Sequence, residues 1–302
     1  MDRRLADLLQ QFELERLEVN LFRGESRDIG SPQVFGGQVL GQALLAAYST
    51  IDDLRVHSLH AYFLRRGDFN LPIVYQVDRS RDGHSFSSRR VIAIQNGAQI
   101  FTFSASFQRP EEGLEHQISM PVVPPPETLP DWSRPAPDVA ARLPEKLRRF
   151  LFRERPVEMR PVEMRPVEPI DFLSPKPRPP VEHIWFKVCD RLPDDHRLHT
   201  CLLAYMSDFS LLNTATQPHA GKFPVDELTM ASIDHAMWFH REVRADEWLL
   251  YSIDSPSASG ARGFARGSVF NRGGALVAST AQEGLMRVGA PRKKTERNVT
   301  GE

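Results

Sequence analysis

Residues 237–283, MWFHREVRADEWLLYSIDSPSASGARGFARGSVFNRGGALVASTAQE, can be laid without a gap on residues 61–107, AYFLRRGDFNLPIVYQVDRSRDGHSFSSRRVIAIQNGAQIFTFSASF. At this offset of 176 residues Phe63 meets Phe239, Arg65 meets Arg241, Tyr75 meets Tyr251, Asp78 meets Asp254, Arg90 meets Arg266, Gly97 meets Gly273 and Ala105 meets Ala281. Random matching gives about three such coincidences, so the order of elements around the two stretches has to carry the comparison. In the first half, QVLGQALLAAYSTI (38–51) has helical spacing, with Val39, Ala43, Ala46 and Ala47 near one face. The alternating stretches VHSLHAYFLR, PIVYQVDR, SSRRVIAIQ and QIFTFSASF follow, the last two joined by the Asn96-Gly97 turn. In the second half HIWFKVCD reads as a strand and 200–216 as a helix, followed by strands in TMASIDHAMWFHR, WLLYSID, GFARGSVFN and ALVASTAQEGLMR. One helix followed by a meander of antiparallel strands is stable when the sheet wraps the helix. The sequence therefore predicts a duplicated α+β unit, with a first copy over 1–118, a connector over 119–180, a second copy over 181–290 and a polar tail over 291–302.

The second predicted helix carries a carboxylate, Asp208, within TCLLAYMSDFSLLNTATQPH (200–219). Its neighbours one turn away are Ala204, Tyr205, Leu211 and Leu212, which puts the acid on the face expected to be buried. A carboxylate there has to be paired, hydrogen-bonded or neutralised by a raised pKa. In the strand that follows, period two places Ser232, Asp234 and Trp238 on one face and His235 on the other, which makes a local Ser-His-Asp triad geometrically poor. In the last strand Gln282 stands where the gapless comparison puts Ser106 of the first copy. An acid, a hydroxyl and an amide that converge can hold a water, the acid taking its proton while the other two orient it. The residues alone equally allow Asp208 to cap or salt-bridge, Ser232 to bond backbone, and Gln282 to be a solvated strand position.

Composition narrows the function classes. The chain has 302 residues, 41% hydrophobic, a net charge of -1 and a pI near 6.8. That balance gives no electrostatic footprint for nucleic acid, and no apolar run approaches the roughly 20 residues of a membrane span. The N-terminal MDRRLADLLQQFELERLEV reads as a short amphipathic helix with none of the marks of a signal peptide, so a cytosolic location is expected, with Cys189 and Cys201 as free thiols. Histidines and cysteines lack metal-ligand spacing, and no cofactor or metal is expected. Residues 119–180 hold 16 of the 24 prolines. A short helix is expected near 144–152, and the repeat PVEMR (156–160, 161–165) favours extended backbone, either as a surface connector or as a partner-binding motif.

The segments SPQVFGGQVLGQAL, VHSLHAYFLRRGD, PIVYQVDRSRDGHSFSSRRVIAIQNG, AYMSDFSLLNTATQPH, ASIDHAMWFHR and ARGFARGSVFNRGGALVASTAQEGLMR resemble the type II acyl-CoA thioesterases, the TesB-like family. The likeness covers nearly all of residues 1–290 outside the proline-rich connector. It implies a double hotdog fold, two sheet-wrapped helices in tandem. It also implies hydrolysis of fatty acyl-CoA to a free fatty acid and coenzyme A, within lipid metabolism, by an activated water and without an acyl-enzyme. The family's catalytic set falls on Asp208, Ser232 and Gln282, with Ser232 standing where other members have Thr. Gly36 and Gly37, entering the first helix, are candidates for stabilising the oxyanion, although they equally serve to turn the chain. Arg65, Arg89 and Arg90 are candidates to meet the phosphates of coenzyme A, or else form a solvated face. The resemblance further implies a homo-oligomer, a dimer or a tetramer. A hotdog hydratase or dehydratase, which would use a His base, and a non-catalytic acyl-CoA-binding protein are the alternatives.

Overall fold

The two predicted helices lie against each other, backbone close to backbone, and that contact positions everything else. In the computed structural model, which describes residues 3–28, 33–129, 141, 157–162, 176–223 and 227–289, they are α2 (Gly36–Tyr48) and α3 (His196–Ser207). A Cβ added at Gly37 would run into the carbonyl of Tyr205, and one added at Gly41 would come 3.0 Å from the carbonyl of Cys201. One turn forward on α2 matches one turn back on α3, so the helices are antiparallel, and glycine is what lets them approach. The N-terminus of α2 thereby faces the C-terminus of α3.

Among the described residues the strands form one antiparallel sheet. In chain order they are β1 (Glu15–Glu18), β2 (Leu21–Gly24), β3 (Arg55–Phe63), β4 (Ile73–Asp82), β5 (Phe86–Gln95), β6 (Ala98–Gln108), β7 (Val157–Val162), β8 (Val181–Val188), β9 (Leu228–Ser232), β10 (Asp234–Phe239), β11 (Leu249–Ser259), β12 (Arg262–Asn271) and β13 (Leu276–Val288). Their spatial order is β1-β2-β4-β5-β6-β3-β10-β13-β12-β11-β8-β7, with β9 paired to the far part of β13. The halves meet where β3 pairs with β10, Ala61 opposite His235 and Leu59 opposite Met237. Leu40, Ala43, Leu44 and Ala47 of α2 are completely buried, and each buried leucine contributes about 1.5–3 kcal/mol. This is the duplicated α+β unit that the internal comparison predicts, and the double hotdog that the resemblance implies.

Four local expectations change. The predicted helix over 200–216 ends at Ser207, and Asp208 is its C-cap; Ser210 then takes a left-handed φ of 63° before the short α4 (Leu211–Thr214). The predicted strand over 229–241 is interrupted at Ile233, giving β9 and β10. The gapless offset of 176 fails in the last strand. Arg89 pairs with Ala105 in the first half and Ala265 pairs with Gln282 in the second. The counterpart of Gln282 is therefore Ala105 and not Ser106, and the turn glycine with positive φ opposite Gly97 is Gly274 and not Gly273. One residue inserted in the β12–β13 turn accounts for both shifts. Finally, the N-terminal helix stops early: α1 covers Arg3–Gln11, buries Leu5 and Leu8, and gives way to β1.

The described parts of the connector lie against the sheet. Residues 157–162, within the PVEMR repeat, form the edge strand β7 against β8, a position where proline is tolerated. Ahead of it, Pro124 accepts a hydrogen bond from the Trp185 indole at 3.0 Å, and Met120 and Val123 cover Trp185, Leu250 and Phe270. The helix expected near 144–152 lies outside the described residues.

Candidate active site

Asp208 sits where α3 breaks. Phe209 N–H bonds back to the Met206 carbonyl, and Ser210 turns the chain away, leaving the Asp208 carboxylate at the helix end with a side chain 5% exposed. The phenyl ring of Phe35, just before α2, stacks on Phe209 with centroids 4.5 Å apart and meets Tyr205 edge-on at 5.2 Å. These rings pin the start of α2 over the end of α3. A Cβ added at Gly36 would stand 2.7 Å from Asp208 Oδ2.

Donors from three elements surround the acid. Gln282 Nε2 on β13 donates to Asp208 Oδ1 at 2.6 Å, and the Gly37 N–H in the first turn of α2 and the Ser232 hydroxyl at the end of β9 lie close enough to hold its pKa down. Burial pushes the carboxyl up to about 6, against the downward pull of these three donors. A carboxyl near neutrality holds its charge at physiological pH and still accepts a proton readily, as a general base must. No side chain caps α2, so its positive end and first N–H groups act directly on the acid of the other half.

The predicted trio is thus brought together: Asp208, Ser232 and Gln282 share one site. The same site contains a residue that strand parity places on the opposite face. His235 is completely buried, its Nδ1 3.2 Å from Gln282 Nε2 and 3.9 Å from Asp208 Oδ1, and its Nε2 3.0 Å from Ser207 Oγ. The irregularity at Ile233 resets the alternation, so Ser232 and His235, three residues apart, both reach the acid. The first half offers a signal in the same register: β3 shifts pairing between Val56 and Ser58, and Val56 and Leu59, three residues apart, are both buried. Burial drives the His235 imidazole down to about 3, so it is neutral. Asp234 accepts from the Glu283 N–H at 2.7 Å and holds the interruption in place.

The remaining expectations separate. Gly36 and Gly37 both lie at the acid. Arg89 is built into the sheet: it is 2% exposed and donates to the Thr50 hydroxyl and carbonyl, the carbonyls of Arg81 and Ser88, and Asp82. Its guanidinium has no face left for a phosphate, which corrects the expectation for that residue. Arg65 is exposed and donates to the Gln99 carbonyl, and Arg90 is exposed opposite Asp78 on β4. A cleft of about 670 Å³ lies at the opposite ends of the central helices, bordered by Tyr48, His57, His196 and His199, and the acid is not among its lining residues.

Comparison with known proteins agrees with this geometry. The family described as acyl-CoA thioesterase matches residues 154–285, and the acyl-CoA thioesterase N-terminal domain matches residues 23–108. The chain is 43% identical over 284 residues to acyl-CoA thioesterase 2 of Haemophilus influenzae, covering 94% of this chain and 98% of the relative. It is 42% identical to human acyl-coenzyme A thioesterase 8, over 91% of this chain and 87% of the relative. Among solved structures, the acyl-CoA thioesterase II TesB2 of Mycobacterium marinum superposes with a TM-score of 0.77 at 43% identity, covering 94% of this chain and 99% of that one. With sequence and overall fold in accord across both halves, the chain belongs to the acyl-CoA thioesterase family and is a thioester hydrolase of the double hotdog type.

Proposed function

We propose that Asp208 is the general base of this thioesterase, with Ser232 and Gln282 orienting the water it activates and a fatty acyl-CoA as the thioester. The observation that carries this reading is a 5%-exposed carboxylate raised to about 6, bonded by Gln282 of β13 and flanked by donors of α2 and β9. Gln282 adds a second feature. Its Nε2 is engaged by Asp208 and His235, while its Oε1 is buried without a protein partner among the described residues. A water that donates one proton to Asp208 and the other to Gln282 Oε1 satisfies both acceptors and presents a lone pair for attack.

The balance of the reaction is simple. Water loses a proton to Asp208 and its oxygen bonds to the carbonyl carbon. Collapse of the tetrahedral adduct breaks the C–S bond, and the proton on Asp208 passes to the departing thiolate, giving a carboxylic acid and the free thiol of coenzyme A. The developing oxyanion is met by a backbone N–H of the first turn of α2, for which Gly36 and Gly37 are the candidates. The exposed Arg65 and Arg90 are the candidates for the phosphates. We divide the chain at residues 118 and 180 into two hotdog units and a connector, and expect a cytosolic homo-oligomer, dimer or tetramer; sedimentation and cell fractionation test those two points.

A hydratase with a histidine base is disfavoured by the same geometry. Both ring nitrogens of His235 are engaged and the residue has no exposed surface, so it has no lone pair for a substrate.

The test is thiol release from short- to long-chain acyl-CoAs by wild type and Asp208→Asn. The variant is expected to lose on the order of 10²–10⁴ in kcat. Wild-type kcat should be high above pH 6 and fall as pH drops through about 6, where the base becomes protonated. Full activity in a folded Asp208→Asn protein sinks the assignment.

A further inference from the structure

The polar atoms behind Gln282 form a directed chain that ends at a main-chain carbonyl. Ser207 Oγ lies 2.8 Å from the Ala204 carbonyl, which can only accept, so the single hydroxyl proton goes there. Ser207 Oγ then accepts from His235 Nε2 at 3.0 Å, which makes Nε2 the protonated nitrogen and leaves Nδ1 with a lone pair. Nδ1 faces Gln282 Nε2 at 3.2 Å and accepts its second amide proton, the first going to Asp208. Running the chain the other way fails at its far end. A protonated Nδ1 would turn the amide over and set Gln282 Oε1 against Asp208 Oδ1 at 2.6 Å, two acceptors in contact. The start of the chain is fixed as well: Tyr251 on β11 donates to the Ser207 carbonyl at 3.0 Å and pairs with the Thr280 hydroxyl at 2.7 Å.

We propose that His235 is a positioning residue for the hydrolysis, its Nε2–H tautomer fixing the Gln282 amide so that the NH₂ group holds Asp208 and Oε1 is presented to the attacking water. The inference rests on the assignment of Asp208 and Gln282 above. His235 itself touches neither substrate nor water. A glutamine amide has no intrinsic preference between its two orientations, so in a buried site its neighbours must choose. Here the choice is made twice, by the carboxylate and by the imidazole, and removing one vote frees the amide to present the wrong atom.

Asparagine and glutamine separate the two nitrogens. The short amide introduced by His235→Asn sets its carbonyl oxygen in the place of Nδ1, whereas the longer amide introduced by His235→Gln reproduces the Nε2 side. His235→Asn is expected to keep kcat within about threefold of wild type, and His235→Gln to lose on the order of 10²-fold in kcat, as for a lost oxyanion-hole donor, with KM little changed. A purely structural role would lower thermal stability in both and separate neither kcat. Equal kcat values for the two folded variants, or a loss confined to KM, overturn the proposal. Should His235→Gln fail to fold, the ¹⁵N shifts of His235 in wild-type protein decide. Pyrrole-like Nε2 and pyridine-like Nδ1 from pH 5 to 9 are expected, and a protonated Nδ1 overturns the proposal. Asp208→Asn, run alongside, keeps the two readings apart. If it is inactive while the Asn and Gln variants agree, only the positioning role fails; if it is active, the site assignment fails.

Discussion

The two ends of the central helix pair occupy equivalent positions in the duplicated fold and have opposite chemistry. At one end the C-cap of α3 is Asp208, and Ser232, His235 and Gln282 surround it. At the other end the C-cap of α2 is Ser49, and the positions equivalent to Ser232, His235 and Gln282 are Val56, Leu59 and Ala105, all buried. The helix N-termini differ in the same sense. α2 begins on two glycines with no side-chain cap, and its first turn lies against the acid across the boundary between the halves. α3 begins with Asp195, whose own carboxylate accepts from the Arg197 N–H at 2.9 Å. Tyr48 closes that end, its hydroxyl accepting from the Val56 N–H at 3.0 Å. Duplication supplies the same frame twice, and one end keeps a hydrophobic filling that lowers the demand on the other. A buried carboxylate destabilises the fold and an apolar cluster stabilises it, so a chain with two copies can carry one of each.

Exchanging residues between the ends tests that contrast. Gln282→Ala installs the first-half residue at the Asp208 end, removes the amide that bonds Asp208 and that we propose orients the water, and is expected to lower kcat on the order of 10²–10³-fold, about 3–4 kcal/mol. Thiol release by the folded variant checks this, and an activity near wild type breaks the comparison.

Next in size is the stability cost of the acid. The Asp208 carboxyl is raised from 3.8 to about 6 in the folded protein, so between those values the native state binds more protons than the unfolded chain and stability falls as pH rises. At pH 7 the carboxylate therefore costs roughly 3 kcal/mol. Asp208→Asn should be more stable than wild type by about that amount at pH 7 and nearly equal to it at pH 4, as read from urea midpoints. A variant less stable at pH 7 shows that the hydrogen bonds outweigh desolvation.

The smallest effect belongs to the reverse exchange. Ser49→Asp places a carboxylate at the exposed C-cap of α2, where Val56, Leu59 and Ala105 offer no side-chain donors and the helix dipole is unfavourable. It is expected to destabilise by about 1 kcal/mol and to leave kcat unchanged. Any restored turnover when combined with Asp208→Asn would mean that the second end keeps a latent site.

How much of this was legible depends on the kind of interaction involved. Asp208 declares itself through energetics, since a lone carboxylate among Ala204, Tyr205, Leu211 and Leu212 requires a reason wherever the chain goes. Gln282 shows itself as a departure from the other strand copy, although a one-residue insertion in the β12–β13 turn gives it the wrong counterpart in a gapless comparison. Arg89 looks like any outward strand arginine and is in fact 2% exposed, because Thr50, 39 residues away, completes a socket with the carbonyls of Arg81 and Ser88. His235 is hidden by parity: alternation puts it opposite Ser232 until the interruption at Ile233 is known.

The sequence by itself determined the duplication, the α+β class and the three polar positions of the acid's half, since periodicity, turn glycines and buried charge are local properties of the chain. Only the tertiary structure decided that the acid sits at a helix end and not in its middle, that the first turn of α2 from the other half lies against it, and that His235 contacts the Gln282 amide. Those three facts depend on which backbone approaches which. That approach is set by glycine contacts between α2 and α3 and by a strand irregularity whose effect appears only when two elements are packed together.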